Sequence, residues 1–246
     1  MKPLSQLVPQ IPNQGTFIAT PTKITTSHSE PQSVTKELSI NSHSFSDCLQ
    51  FLYNAGKVRY GNHFSICAED HVAIYKLLVY VLKDQEAAHK FNINLQKGLL
   101  LSGPIGSGKT TLMTLVNQFQ IPQNRFILKP ARDISFEFIQ DGYETIHTYS
   151  KKSFYTKGNQ HHPKTYCFDD LGTEKNLKYF GNECNVMAEI LLSRYDLFIQ
   201  KQMITHLTTN LSATEIENHY GNRVRSRMRE MFNLISFDKD TKDKRI

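Results

Sequence analysis

The chain has 246 residues, with 29 lysines and arginines against 23 acidic residues, which gives a formal net charge of +6 at pH 7. A hydrophobic fraction of 39% is enough for the core of one ordinary α/β domain, and the absence of any run of about 18 apolar residues argues against a membrane-spanning helix. Four widely spaced cysteines without a C-x-x-C pair argue against a zinc site or a disulfide framework, which favours a reducing cytoplasm.

The N-terminal residues 1–60 are predicted to form a polar, partly disordered extension, because Ser, Thr, Pro, Gln and Asn dominate its first part. This extension is either a flexible tail or an arm that folds on contact with a partner. Apolar residues become frequent from Phe45 to Tyr60, which predicts a short helix at its end. Residues 71–82 have helical apolar spacing and predict a helix that continues to about His89, inside a domain of residues 61–246.

Residues 103–110 match the phosphate-loop pattern G-x-x-x-x-G-K-[ST] at every fixed position. Residues 97–102 predict a buried strand before the loop and residues 111–119 a helix after it, which is the context the motif requires. The glycines let backbone N–H groups surround phosphates, while Lys109 reaches the β- and γ-phosphates and Thr110 offers its hydroxyl to Mg²⁺. The residues predicted to bind the nucleotide are Gly103, Pro104, Ile105, Gly106, Ser107, Gly108, Lys109, Thr110 and Thr111.

Strands and helices alternate after this loop. Strands are predicted at residues 125–129, 165–169, 203–207 and 233–237, and helices at residues 133–149, 185–199, from 213 and at about 222–231. Ser212 and Glu215 form the pattern of a capping box at the start of the third of these helices. Five strands with helices between them predict a parallel sheet covered on both faces, with a nucleotide at the C-terminal strand ends.

Polar residues at two of these strand ends complete the predicted site. An acidic residue at the end of an apolar strand can hold Mg²⁺, and we assign that role to Asp169. The adjacent Asp170 is predicted to position the attacking water, with Glu174 as an alternative base. Asn210 follows the next predicted strand and is expected to sense the γ-phosphate or hold the water, with Thr209 as second choice and a turn or capping role as the alternative.

A basic helix is predicted near the C-terminus, where Arg223 and Arg227 share one face and Arg225 and Arg229 another. Like charges stacked in this way repel each other, which suggests an external anion. The candidates are the γ-phosphate bound by a neighbouring subunit and the phosphates of DNA, against the alternative of a merely solvated helix.

Lysines and aromatic residues alternate in residues 149–157, and His161, His162 and Lys164 follow. Lysines neutralise phosphates and aromatic rings stack on unpaired bases, so this segment is a candidate for binding single-stranded DNA. The alternative is a solvated loop whose aromatic residues pack on the core. Two histidines without further ligands do not predict a metal site.

In their order along the chain, the phosphate loop, Asp-Asp-Leu-Gly, Thr-Thr-Asn and Tyr-Gly-Asn-Arg-Val-Arg-Ser-Arg-Met resemble the motifs of AAA+ ATPases of the DnaC helicase-loader type. Transposition helpers of the IstB type are equally close. The resemblance covers about residues 99–237. It implies that Asp169 and Asp170 form the Walker B motif, that Asn210 is sensor 1, and that Arg227 acts as an arginine finger on a neighbour's ATP. Arg223 matches the earlier arginine of the last motif.

The resemblance implies a P-loop AAA+ ATPase that binds ATP and Mg²⁺ and acts in DNA replication as a helicase loader. A transposition helper and a nucleotide-dependent adaptor with little turnover are the alternatives. The implied partners are a replicative helicase or a transposase, single-stranded DNA and further copies of the chain, in the cytoplasm. Two departures stand out: Asp170 replaces the usual Glu, which favours slow hydrolysis, and no helical lid is predicted after the last strand, where Arg245 is the arginine left to act as sensor 2.

Overall fold

The computed structural model describes residues 39–40, 43–174, 177–179 and 182–244. Its strands, in chain order, are β1 (Ser39–Ile40), β2 (His43–Ser44), β3 (Gly98–Ser102), β4 (Ile127–Pro130), β5 (Phe154–Lys157), β6 (Gln160–Pro163), β7 (Tyr166–Leu171), β8 (Leu177–Tyr179), β9 (Asn182–Cys184), β10 (Thr205–Thr209) and β11 (Phe232–Ser236). Its α-helices are α1 (Phe45–Tyr60), α2 (His71–Val81), α3 (Gln85–Lys90), α4 (Lys109–Val116), α5 (Ala131–Asp141), α6 (Tyr143–Tyr149), α7 (Val186–Lys201) and α8 (Ala213–Met231).

A five-stranded sheet with the order β11-β3-β10-β7-β4 forms the centre of the fold, and every neighbouring pair of strands is parallel. Ser102 at the end of β3 pairs with Thr209 at the end of β10, and Thr209 pairs with Leu171 at the end of β7. Strands β3, β10 and β7 are therefore neighbours, and their C-terminal ends lie side by side. The phosphate loop follows β3, Asn210 follows β10, and the acidic pair lies near the end of β7.

Helices cover both faces of this sheet, as predicted. Leu99 and Leu101 of β3 are fully buried in a core cluster with residues of α1 to α4, whereas Leu100 lies in a second cluster with residues of α5 to α8. Successive side chains of a strand point to opposite faces, so one short apolar strand supplies both cores. Leu52 of α1 is also fully buried in the first cluster, so this helix packs as part of the α/β core.

Two predicted helices are each broken into two. The helix predicted to run from residue 71 to about His89 is wrong as a single element, because Lys83 adopts a left-handed conformation with φ of 58° and Asp84 caps a new helix by accepting from the N–H of Ala87. The helix predicted at residues 133–149 is interrupted by Gly142, whose φ is also 58°. A residue with positive φ cannot continue a right-handed helix, and Gly142, with ψ of −137°, adopts a conformation that favours glycine.

Strand β10 begins and ends two residues later than predicted, so Thr208 and Thr209 lie inside the strand and Asn210 alone follows it. Strand β7 continues to Leu171, which places Asp169 and Asp170 within its last residues. The changed bounds of β7 and β10 determine which of their last side chains face the space at the C-terminal ends of the strands.

Helix α8 begins with the predicted capping box between Ser212 and Glu215. Gly221 has non-helical angles, φ 83° and ψ 160°, and divides α8 into a first segment of residues 213–220 and an arginine segment of residues 222–231. After β11 no further helix occurs in the described residues, which extend to residue 244. No helix in the described residues is both long enough and apolar enough to span a membrane.

Candidate active site

The phosphate loop connects β3 to α4 and closes around its own lysine. Gly106 and Gly108 have φ of 80° and 87°, the left-handed region that favours glycine. Lys109 is the first residue of α4 and only 5% exposed, and its Nζ donates to the carbonyl oxygens of Gly103 at 2.9 Å and Pro104 at 2.8 Å. The loop therefore carries its ammonium group at the N-terminus of a helix, where anions are favoured.

A cavity of about 480 Å³ lies beside this loop. Its size falls within the range of small-molecule sites. Asp170 and Asn210 line it together with the phosphate loop, so the structure brings together three motifs that are far apart in the sequence. The lining residues of the loop and of α4 are Ile105, Gly106, Ser107, Gly108, Lys109, Thr110, Thr111 and Leu112. Gly103 and Pro104, also predicted to bind nucleotide, hold Lys109 through their carbonyl groups.

Asp169 is buried, with 5% of its surface exposed, at the centre of a hydroxyl cluster. The hydroxyl oxygen of Thr110 lies 2.9 Å from both carboxylate oxygens, and Thr208 donates to one of them at 2.6 Å. Burial raises the pKa of Asp169, and the hydrogen bonds from Thr208 and Thr110 and the charge of Lys109 oppose that rise. A carboxylate and a hydroxyl side by side at a phosphate loop are suited to hold Mg²⁺ on bound phosphates.

Asp170 is exposed to the cavity and has a left-handed backbone with φ of 53°. Its N–H donates to the Thr208 hydroxyl at 2.8 Å, so one threonine orients both acidic residues. The turn after Asp170 is held by Thr173, whose N–H and hydroxyl both donate to the Asp170 carbonyl oxygen. The buried carboxylate of Asp169 thus faces Thr110, whereas the carboxylate of Asp170 lines the open cavity.

Asn210, the residue directly after β10, lines the cavity, whereas Thr209 does not. The Thr209 side chain is fully buried, donates to the Leu171 carbonyl oxygen at 2.7 Å and accepts from the N–H of Leu211. The alternative base Glu174 also lies outside the cavity lining, because its carboxylate binds the N–H of Gly172 and the hydroxyl of Tyr220.

The arginine segment lies outside the cavity of its own chain. Arg227 donates to the Tyr195 hydroxyl at 3.1 Å and to Glu230 at 3.3 Å, and its guanidinium carbon lies 4.3 Å from the centre of the Tyr195 ring. Arg225 forms an ion pair with Glu217. Arg223 is exposed and makes no hydrogen bond or ion pair within the described part of the chain.

Several residues that line this cavity, among them Asp70 and Lys244, were given no role from the sequence. Lys244 lines the cavity, and its Nζ lies 2.5 Å from the buried carboxylate of Asp70 and 3.1 Å from the Ser107 carbonyl oxygen. The backbone N–H of Lys244 donates to the carbonyl oxygen of Gly106, so the C-terminal tail is attached to the phosphate loop. No motif marks this lysine, and Arg245, proposed as sensor 2, lies outside the described residues.

The later part of the segment proposed to bind DNA forms the antiparallel hairpin of β5 and β6, which lies outside the cavity lining, whereas Tyr149 is the buried last residue of α6. Tyr155 is 39% exposed and stacks on His162, with 5.4 Å between the ring centres. Lys157 and His161 are exposed beside this pair, whereas Lys152 is engaged by Glu144 at 2.6 Å. In the described residues no cluster of three or more His, Cys, Asp or Glu side chains could hold a metal.

No protein-family model and no curated protein matches the chain. Among solved structures, the DnaC helicase loader matches with a TM-score of 0.50 and 20% identity, over 76% of this chain and 98% of that one. DnaI matches with a TM-score of 0.44 and 20% identity, over 67% and 94% of the two chains. AMPPCP-bound DnaA from Aquifex aeolicus matches with a TM-score of 0.46 and 18% identity, over 74% and 50%. At this identity the likeness shows the fold alone, and the chain shares the α/β fold of the DnaC helicase loader, with a five-stranded parallel sheet between two layers of helices.

Proposed function

We propose that this chain is an AAA+ ATPase that binds ATP in the cavity beside the phosphate loop and acts in DNA replication as a DnaC-like helicase loader. The observation that carries the proposal is the convergence of Lys109, Thr110, Asp169, Asp170 and Asn210 at one edge of the sheet. The order of the last motifs and the loader-like fold support the replication role.

One set of cavity residues binds the phosphates and the metal, and another set positions the attacking water. Lys109 and the N-terminus of α4 bind the phosphates, while Thr110 and Asp169 hold Mg²⁺, which neutralises charge that develops on the phosphates. Asp170 and Asn210 line the open side, where they orient a water and Asp170 accepts its proton. The aspartate side chain is one methylene shorter than glutamate, so we expect slow turnover, suited to a nucleotide-dependent assembly switch.

Arg227 is proposed to complete the site of a neighbouring subunit in an ATP-dependent homo-oligomer. It lies outside its own cavity on a helix surface, as an arginine acting in trans must. To reach a neighbour it exchanges the contacts with Tyr195 and Glu230 for the γ-phosphate, a stronger, doubly charged acceptor. Arg223 is exposed without such contacts and is the second candidate on the same segment.

The experiment that tests this function is ATP turnover by the wild type, Lys109→Ala and Arg227→Ala, each with and without single-stranded DNA. Arg223→Ala is measured in parallel, and Arg229→Ala is the matched control on the same helix. We expect Lys109→Ala and Arg227→Ala to fail and a mixture of Arg227→Ala with Asp170→Asn to recover activity, because each supplies what the other lacks. Full activity of Arg227→Ala alone contradicts the trans role.

Single-stranded DNA and a replicative helicase are the proposed partners in the cytoplasm. The stacked Tyr155 and His162 beside exposed Lys157 present both an aromatic surface and positive charge, the two elements that bind unpaired strands. A Tyr155→Ala, Lys157→Ala double variant is expected to bind a fluorescent oligonucleotide at least about tenfold more weakly. Unchanged affinity places DNA binding elsewhere.

A transposition helper remains the alternative role, and a nucleotide-dependent adaptor is the third. ATP-dependent co-sedimentation with the replicative helicase of the same cell supports the loader role, whereas co-sedimentation with a transposase encoded beside it supports the alternative. Nucleotide-dependent binding to either protein without measurable turnover supports the adaptor.

A further inference from the structure

The acidic loop that follows Asp170 is attached to helix α8 through Glu174. One carboxylate oxygen of Glu174 accepts from the N–H of Gly172 at 2.9 Å, and the other accepts a short hydrogen bond from the hydroxyl of Tyr220. Tyr220 is 7% exposed, and burial together with the Glu174 charge raises its pKa, so its hydroxyl remains a donor. The Glu174 side chain thus joins the loop that carries the water-positioning Asp170 to a helix distant in sequence.

The loop has little freedom to move independently of the site. Gly172 has φ of 104°, and a Cβ added there would lie 2.6 Å from the side chain of Leu211, the residue directly after Asn210. The turn between Asp170 and Thr173 is closed by two hydrogen bonds to one carbonyl oxygen. Asp170, Gly172 and Leu211 are thus held in one closely packed turn next to the cavity.

Tyr220 is the last residue before the kink of α8. Gly221, with φ of 83°, follows it, and a Cβ added at Gly221 would meet no atom within 4 Å. The kink is therefore a property of the Gly221 backbone, while Tyr220 before it and Val224 and Met228 after it are buried in the same core cluster. The ion pair between Glu217 and Arg225 also spans the kink, so buried packing and a surface contact both join the arginine segment to the first one.

We propose that the Tyr220–Glu174 contact is a positioning link, through which the nucleotide state of one subunit orients its own arginine segment toward the site of the next subunit. This inference rests on the proposed ATP-binding function. Loss of this contact uncouples the nucleotide cavity from the arginine segment. Nucleotide binding itself persists, since neither Tyr220 nor Glu174 lines the cavity.

The test measures hydrogen exchange of residues 222–231 in the full chain, with and without the non-hydrolysable nucleotide AMPPNP and Mg²⁺. Tyr220→Phe removes only the hydroxyl, and Glu174→Gln keeps the size of the side chain but removes its charge. Tyr53→Phe makes the same chemical change on α1, away from the link, and is the matched control. Binding of AMPPNP is measured on every variant by titration.

We expect AMPPNP to change exchange of the arginine segment in the wild type and in Tyr53→Phe. Tyr220→Phe and Glu174→Gln are expected to bind AMPPNP within about threefold of the wild-type affinity but to lose this change, because coupling is separable from binding. A merely structural contact would alter exchange equally in both nucleotide states and leave the difference intact. Either that result, or a wild type that binds AMPPNP without any response of the segment, overturns the link. A wild type that does not bind AMPPNP overturns the proposed function itself.

Discussion

The Thr110 hydroxyl oxygen lies 2.9 Å from each carboxylate oxygen of Asp169, although Thr110 is the second residue of α4 and Asp169 lies near the end of β7. This contact joins the phosphate loop to the acidic strand end. It places the Thr110 hydroxyl and the Asp169 carboxylate side by side where phosphates would bind at the N-terminus of α4.

Removing the Asp169 charge is expected to abolish the Mg²⁺ dependence of nucleotide binding. In the wild type, replacing Mg²⁺ by EDTA should weaken binding of a fluorescent ATP analogue by at least about tenfold, whereas Asp169→Asn should bind equally weakly in both buffers. Asp240→Asn, an exposed aspartate on the C-terminal tail, is the control. An Asp169→Asn protein that still responds fully to Mg²⁺ contradicts the assignment of the metal site.

Thr208 is expected to affect turnover although it lies outside the cavity lining. Thr208→Val removes the hydroxyl that donates to Asp169 and accepts from the N–H of Asp170, and we expect turnover to fall by about 10- to 100-fold. Thr208→Ser keeps the hydroxyl and should retain most activity. The rates are measured at saturating ATP, and equal rates for the valine and serine variants would show that the hydroxyl does not orient the acidic pair.

His206 should make the fold less stable in acid. Burial, followed by the charges of Lys83 and Arg194, lowers its pKa from 6.5 to about 3, and its Nδ1 accepts from the N–H of Leu99 at 3.0 Å. Between these two pH values the unfolded chain binds a proton that the folded chain excludes. This group therefore contributes stability that is present above pH 6.5 and is lost as the pH falls toward 3, by up to about 1.4 kcal/mol per pH unit.

The variant that isolates this effect is His206→Asn, because the asparagine oxygen can accept from the same N–H. Urea unfolding at pH 7, 6, 5 and 4 should give a shallower decline of the unfolding free energy for the variant than for the wild type. Parallel declines in the two proteins would show that other groups cause the acid sensitivity.

Arg194 is expected to be essential for stability, since it is fully buried and satisfied by neutral acceptors alone. Its guanidinium donates to Thr205 at 2.6 Å, to Tyr149 at 2.8 Å and to Ile204 at 2.9 Å, with further bonds to Ser153 and Lys164 at the base of the hairpin. Lysine offers fewer donors from a single point, so Arg194→Lys should lower the free energy of unfolding by about 3 kcal/mol.

The exposed Arg132→Lys on α5 is the control for the Arg194 variant and should change the unfolding free energy by less than about 0.5 kcal/mol. Both are measured by urea denaturation at pH 7. Near-equal stability of the two variants would contradict the role given to the buried guanidinium.

The sequence was most informative where function depends on a local run of residues. The phosphate loop and the capping box at Ser212 are such runs, because the backbone geometry they require depends on adjacent residues, and both lie where predicted. The parallel sheet also followed from the alternation of apolar strands and helices. The break at Lys83 was not predicted, because lysine carries no turn preference and the helix-capping residue Asp84 after it was not recognised.

Contacts between distant segments account for the remaining differences. Thr208 directly precedes Thr209 and Asn210, the two residues that were predicted to face the nucleotide. It was missed because β10 is shifted by two residues from its predicted position, and this shift brings the Thr208 hydroxyl to Asp169. Lys244 enters the cavity through hydrogen bonds to Gly106 and Asp70, and no local pattern records partners so far away in the chain.

Equilibrium binding of ATP with Mg²⁺ to the full chain tests the central claim most directly. The wild type, Lys109→Ala and the exposed control Lys201→Ala are compared by titration with a fluorescent ATP analogue and competition by unlabelled ATP. We expect saturable binding by the wild type and Lys201→Ala, and affinity at least about tenfold lower for Lys109→Ala, which loses the phosphate-binding ammonium group. Equal affinity of all three proteins, or no binding by the wild type, would contradict that claim.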